Sequence, residues 1–436
     1  MSALAGAVSA FCRRENIEFQ GKTVLVALSG GRDSVALLCA LMELSAEKGF
    51  AVAAAHYNHH LRPSAQRDED FVRAFCAGRG IPLAVGGGDV AAFAREMGLS
   101  TEEAARTLRY RFLEETAEQM GADLIATAHH AGDNAETILM NLLRGTGLRG
   151  LGGIPPVRGR IIRPLLAVSR DEINNYIEQN ALPYVEDETN AQTVYTRNRL
   201  RHELLPLLEE ISPGSTGRIA LAAERLRQDE DCLRRQAEGM LPPADETGGT
   251  TIPSDVLKTA HPAVAARLVR LAAQRMDTEL TAAQVESLLS LGHGIIVLPK
   301  GLRATRDSAG LCFYRVPTPP PPLALHEGEQ DWGEYRVTVR MTEEETAEDE
   351  NTLVLRSDSE QLTVAAWDGT GRLTVENGRR TVKRLLADRG IGPAQQESRP
   401  AIYARDTLAA VFGAGTGRDF APVDGKKLVI TLVKRG

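Results

Sequence analysis

The stretch KTVLVALSGGRDSVALLCALMELSAEKG, residues 22–49, decides the fold. Residues 22–30 form a short apolar run ending in Ser29 and Gly30, which predicts a strand buried on both faces. Residues 33–49 carry apolar side chains at helical spacing and close on Gly49, which predicts a helix. Between them lies LSGGRDS (28–34). Two adjacent glycines let the backbone turn tightly and approach an anion without obstruction by a Cβ. The hydroxyls of Ser29 and Ser34 and the free N–H groups of the helix start then offer donors to phosphate oxygens. The same letters also describe a Gly-rich turn with a Ser/Asp helix cap. The loop lacks the Lys of the G-x-x-x-x-G-K-[ST] motif, so it is not the loop of enzymes that cleave at the γ-phosphate.

Outward from this core the alternation continues. FAVAAAHYN (50–58), IPLAV (81–85) and ADLIATAHH (122–130) predict strands, with helices over 65–80 and 101–120 between them. Such alternation predicts an α/β fold, a parallel sheet covered by helices on both faces. Ligands of these sheets sit beyond the carboxyl ends of the strands, so the polar residues after each strand are the candidates. Beyond about residue 210 the apolar spacing becomes helical through 292. Pro319 to Pro322 then predict a stiff linker, and period-two runs at 335–341, 352–356 and 362–367 predict a small α+β domain. The expected domains are 1–212, helical 213–315, a Pro-rich linker 316–330, and a C-terminal domain 331–436.

Composition narrows the function. No run of about 18 apolar residues is present, which excludes a transmembrane helix. In MSALAGAVSAFCRREN the Arg pair follows the apolar stretch, the reverse of a secretory signal, so an amphipathic first helix is expected. Five widely spaced cysteines without a C-x-x-C pair fit reduced cytoplasmic thiols and exclude a Cys-rich zinc module. The net charge of −7 argues against indiscriminate nucleic-acid binding. Yet six acids lie within 341–350, and setting them aside leaves −1. Residues 371–405 carry a local +5 and 144–170 hold six Arg with no acid, so basic surfaces remain for a nucleic acid.

Three further constellations carry chemistry. In ATAHHAGDNAETILMNLLRGTGLRGLGGI (126–154), Asp133 and Glu136 stand at i and i+3 and can share a helix face. Paired acids there could hold Mg²⁺ or orient an amine; equally, D-N-A-E reads as a capping box with Asp133 as N-cap. His129 and His130, if on a strand, point to opposite faces, so at most one is expected in a site. In AARTLRYRF (104–112), Arg109 and Arg111 flank Tyr110, with Arg106 one turn before Arg109; solvated surface arginines are the plain alternative. Arg197, Arg199 and Arg201 form a basic cluster around Asn198, suited to phosphate contacts.

S-G-G-R-D-S resembles the pyrophosphate loop of ATP pyrophosphatases. Together with H-Y-N-H-H-L-R, R-Y-R-F, A-H-H-A-G-D-N-A-E-T, R-G-T-G-L-R-G-L, R-P-L-L, E-D-x-T-N and R-N-R-L-R-H-E-L-L-P in this order, residues 22–208 resemble the tRNA(Ile)-lysidine synthetase family. Over 211–315 the similarity lies mainly in length and helical character. Residues 377–391 and 399–413 look like the family's small tRNA-binding domain, although GPAQQES (392–398) departs from the Pro/Trp/Arg-containing segment expected there.

The resemblance implies a PP-loop adenine-nucleotide-binding domain followed by tRNA-binding domains, and a carbon–nitrogen ligase. Its substrates would be ATP, free L-lysine and an isoleucine tRNA with a CAU anticodon; a homodimer is an open assembly. C2 of the wobble cytidine is adenylated, and the lysine amine then displaces AMP, which changes decoding from AUG to AUA. Carried over onto this chain, Ser29, Gly30, Gly31, Arg32, Asp33 and Ser34 form the ATP loop. Asp33, Arg109, Asp133, Glu136 and Arg201 are the implied catalytic residues, with Asp33 and Asp133 at Mg²⁺. A related tRNA thiolase would need a cysteine pair, and an amidotransferase an N-terminal Cys nucleophile; this chain has neither. From a different class, a catalytically silent nucleotide-sensing or tRNA-binding protein is the alternative, and the intact acids and glycines argue against it.

Overall fold

A computed structural model describes the chain except residues 60–64, 187–195, 246–247, 317, 360, 377, 393–395, 398, 424 and 436, and the Thr196 side chain. His60, Leu61 and Arg62 of the H-Y-N-H-H-L-R motif, Asp187 to Asn190 of E-D-x-T-N, and parts of 392–398 therefore lie outside the described residues. The chain forms two compact units, Met1–Cys232 and Leu233–Gly436.

The first unit is built on strands β1 (Thr23–Ala27), β2 (Ala51–Asn58), β3 (Leu83–Gly87), β4 (Leu124–Ala126), β5 (Val157–Arg158) and β6 (Ile161–Ile162). Their order is β3-β2-β1-β4-β6-β5, all parallel except the edge strand β5. Val26 of β1 pairs with Ala54 on one side and Ala126 on the other. Val24, Leu25 and Val26 are wholly buried, as the continuous apolar run requires. Pleating sends Leu25 to one face, where Leu113 of a helix covers it, and Val24 and Val26 to the other. Each such side chain contributes roughly 1.5–3 kcal/mol by leaving water.

Helix α1 (Ala3–Arg14) packs on that second face through Leu4, Val8 and Phe11, with Ser2 as its N-cap; this is the expected amphipathic first helix. Helices α2 (Arg32–Lys48) and α3 (Ala65–Ala77) share the same core. Helices α4 (Val90–Met97) and α5 (Thr101–Gln119) follow β3, and α6 (Ala131–Leu143) and α7 (Leu148–Leu151) follow β4. The chain then runs through α8 (Arg170–Gln179) and α9 (Thr196–Arg199), a π-helical turn at Leu200–Leu204, and α10 (Leu205–Ile211). From β1 the connections run outward to β2 and β3 on one side and to β4 on the other. The β1/β4 boundary is thus the switch point where a ligand crevice opens at the carboxyl ends.

The helical reading of 213–315, of which 213–232 belong to the first unit, needs an addition in the second. Besides helices at Pro262–Arg275 and Ala282–Ser290, strands at Thr250–Pro253, Gly294–Val297, Leu302–Arg306 and Gly310–Arg315 form a four-stranded antiparallel sheet. Ile252, Leu302, Leu311 and Phe313 share one core with Leu268 and Val269 of the first of those helices. Strands of four to six residues leave little periodicity to read. Residues 318–322 carry neither helix nor strand, and three antiparallel sheets of five, four and two strands follow, with a short α-helix at Val382–Asp388. The acidic stretch 342–350 is largely exposed. Among the described residues no helix is long and apolar enough to cross a membrane.

Candidate active site

The loop after β1 is held open by its own bonds. Gly30 sits at φ +87°, and an added Cβ would meet Val72 and Phe71 at 3.2 and 3.4 Å. The Ser34 hydroxyl donates to the Gly31 carbonyl at 2.8 Å, and Ser29 Oγ lies 3.1 Å from Ser34 Oγ. Gly31 is the N-cap of α2, and no side chain caps that helix. The Ser/Asp cap alternative is therefore overturned: the first-turn N–H groups of α2 are left for an anion. Arg32 gives its backbone to the loop, but its guanidinium is engaged elsewhere. It donates to Asn174 Oδ1 (2.6 Å) and Tyr184 Oη (2.8 Å) and stacks on the Tyr184 ring. Val185 N–H also donates to the Gly30 carbonyl at 2.9 Å, so residues 184–185 brace the loop.

The second half of the site follows β4, which ends at Ala126. Residues 127–130 have left the sheet, so alternation no longer separates the two histidines. His130 is the N-cap of α6: Gly132 N–H donates to its Nδ1 at 3.0 Å, and its own N–H donates to Asp133 Oδ2 at 3.1 Å. The capping box thus falls one turn earlier than D-N-A-E suggested, with Asp133 at N3 and not at the N-cap. Because Nδ1 accepts, the neutral ring carries its hydrogen on Nε2. That atom lies 3.8 Å from Asp33 Oδ2 and 3.7 Å from Asp133 Oδ2. His129 turns to Thr127, its Nδ1 3.0 Å from the hydroxyl. Burial drives its pKa down to about 4, against the pull of Asp133 and with help from Arg163, Arg109 and Arg106, so it is neutral near pH 7.

Asp133 and Glu136 share one face of α6, as their spacing required, and two arginines meet them. Glu136, 1% exposed, accepts from Arg201 Nε at 2.5 Å and Arg197 Nε at 2.7 Å. Asp133 Oδ1 accepts from Arg201 Nη2 at 2.9 Å. Burial pushes the Asp133 carboxyl up, but His130, its backbone N–H, His129 and Arg201 outweigh this and hold it below the usual range. Arg197 and Arg201 point the same way because they are four residues apart, whereas Arg199 faces outward to Glu203. The phosphate cluster read from sequence is therefore split: two of its three arginines grip carboxylates. Arg197, read from sequence as a phosphate contact, and His130, read as one of two candidate histidines, enter the site in roles the sequence did not assign them. Arg109 lies over the Tyr110 ring, where burial lowers its pKa; it acts on His129 electrostatically and forms no ion pair with Asp133 or Glu136 among the described residues.

Among the described residues no three His, Cys, Asp or Glu side chains are grouped to hold a metal by themselves. Two carboxylates, Asp33 and Asp133, converge on His130, and Asp33 Oδ1 is buried without a hydrogen-bond partner. This donor set fits a hard cation that takes one or two carboxylates and completes its shell with phosphate and water.

The turn after α7 is fitted to α6. Asn134 Oδ1 accepts from Ile154 N–H at 2.8 Å, and Gly153, at φ +68°, leaves room for it. An alanine there would place Cβ 2.2 Å from Asn134 Oδ1. Gly153→Ala is expected to destabilise the protein by about 1–3 kcal/mol, read as a lowered urea midpoint.

Residues 7–208 match the PP-loop domain family. The tRNA(Ile)-lysidine synthase of Geobacter sulfurreducens is 31% identical, over 100% of this chain and 98% of that protein. The enzymes of the same name from Parabacteroides distasonis and Bacillus subtilis are 46% and 42% identical. Those two matches cover 48% and 52% of this chain and 48% and 49% of the relatives, about half their length.

Proposed function

The chain belongs to the tRNA(Ile)-lysidine synthase family, and on that premise we propose that it ligates L-lysine to C2 of the wobble cytidine in a CAU-anticodon isoleucine tRNA at the expense of ATP. One observation carries this reading at the level of residues. The phosphate-ready loop after β1 and the acid–arginine cluster after β4 meet at the switch point of the sheet, through His130 Nε2 between Asp33 and Asp133.

The chemistry follows from these parts. The C2 oxygen of cytidine attacks the α-phosphorus of ATP, and pyrophosphate leaves toward the uncapped N–H groups of residues 32–34, which stabilise its charge. A magnesium ion held by Asp33 and Asp133 would neutralise further phosphate charge. The lysine amine then attacks C2 and AMP departs. On this reading Asp133 and Glu136, although paired with Arg197 and Arg201, attract the amine and accept its proton. Arg201 and Arg109 supply positive charge beside the reacting phosphate. His130 Nε2 lies between the two aspartates at 3.8 and 3.7 Å, close enough to act on both carboxylates electrostatically. We assign catalysis to 1–212 and tRNA contacts to 213–315 and 331–436, joined by 316–330, in a cytoplasmic enzyme that is open to homodimer formation.

A transcript of that tRNA, incubated with ATP and labelled lysine and digested, should yield an anticodon fragment heavier by lysine less one water, with AMP and pyrophosphate formed alongside. Sulfur incorporation in place of lysine would overturn the reading. The cysteines favour the first outcome: burial pushes the Cys12 and Cys76 thiols up to about 12 and about 11, which suits packing and not sulfur transfer.

A further inference from the structure

We propose that a cavity of about 300 Å³ beside the carboxylate cluster seats an RNA phosphodiester next to the reacting base, and that its arginines position the wobble nucleotide. The inference rests on the tRNA-modifying function proposed above. Arg106, Arg144, Arg158, Arg163 and Arg197 line the cavity together with His129, and no Asp or Glu does. Four of these five, all but Arg197, form no ion pair among the described residues, so an unneutralised positive field converges on one small space.

Arg163 makes this a built site. It is 3% exposed, its Nη1 donates to the Pro155 carbonyl at 2.6 Å, and its Nε is buried without a hydrogen-bond partner. A buried cation fixed in this way is costly unless an anion offsets it. The other polar lining groups are already used: Asn141 donates to the Gly150 carbonyl and Thr137 to the Asp133 carbonyl.

The chemistry of the lining selects the anion. Free lysine carries one α-carboxylate against two ammonium groups, so its net charge is positive and five arginines favour a phosphodiester over it. ATP phosphates are addressed by residues 29–34, and none of these lines the cavity. The position selects the nucleotide. Arg197 lines the cavity while its Nε is bonded to Glu136, so the anion would sit one side chain away from the acids. A base and its own phosphate are separated by a single sugar, which matches a base at the acids and a phosphate in the cavity.

Arg144→Gln and Arg158→Gln test this, since both side chains are exposed on the cavity rim and stand outside the acid cluster. With unchanged melting temperatures, each should reduce the salt dependence of tRNA affinity by about 0.7 in log–log slope, the value for one lost single-strand phosphate contact. KM for tRNA should rise while KM for ATP stays as in the wild type. A tRNA with a methylphosphonate at each phosphate flanking the wobble cytidine in turn should weaken binding to the wild type, with no further loss for the variants. An unchanged slope, a shift confined to KM for ATP, or fully additive losses would each overturn the proposal. Slope is a binding measurement, so it decides the cavity even where lysine transfer fails; absence of transfer by the wild type would instead count against the proposed function.

Discussion

Replacing Asp33 with asparagine is expected to lower tRNA-dependent pyrophosphate release about 10²–10³-fold while leaving the protein folded, the scale seen when one preorganised electrostatic group is removed from an active site. Asp33 stands in the first turn of α2, directly after the loop, with one carboxylate oxygen 3.8 Å from His130 Nε2. Its other oxygen is buried with no partner among the described residues. A buried carboxylate oxygen without a donor is unfavourable unless a ligand supplies the positive charge. Asparagine keeps the shape, removes the charge, and leaves a neutral amide where the cation or phosphate-organising acid is needed.

The structural cost is small because so little depends on that side chain. Losing a negative charge in a helix's first turn costs about 0.3–1 kcal/mol. Pyrophosphate release should be measured beside thermal melting of the same preparation. Unchanged turnover would remove Asp33 from the site, and a collapsed melting temperature would give it a structural role instead.

The contrast between Asp33 and the residues after β4 shows how much could be read in advance. A strand, two glycines and a helix within 22–49 are local facts, so both the parallel sheet and the phosphate-ready loop were legible. The pairing of Glu136 with Arg197 and Arg201 joins residues 61 and 65 positions apart, and no local pattern announces it. The same limit applies to His130. Its capping role depends on β4 stopping at Ala126, four residues earlier than the apolar run and its histidines suggest. Arg32 is a third kind of case: its backbone position follows from the motif, but its side chain is claimed by Tyr184 and Asn174, over 140 residues away. Spacing predicts which residues share a face, and tertiary packing decides what that face meets.

Glu136→Ala should therefore have the largest effect on stability, a loss of about 3 kcal/mol, the low end for breaking a buried ion pair. The carboxylate is almost wholly enclosed and accepts three N–H bonds: Arg201 Nε at 2.5 Å, Arg197 Nε at 2.7 Å and Arg201 Nη2 at 3.2 Å. Removing it strands two guanidinium groups whose charges were balanced there. The low end applies because Arg197 and Arg201 keep some contact with water, 39% and 24% of their side-chain surface, and can be partly resolvated. Urea unfolding would report the loss as a lower midpoint at unchanged slope. Pairing the change with Arg201→Ala distinguishes a true pair from two separate contributions: coupled residues give a double variant less destabilised than the sum of the single ones. Additive losses would mean that each side chain is held by other neighbours. An unchanged midpoint for Glu136→Ala would mean that Asp133 alone suffices to anchor both arginines, and would leave Glu136 free for the lysine amine alone.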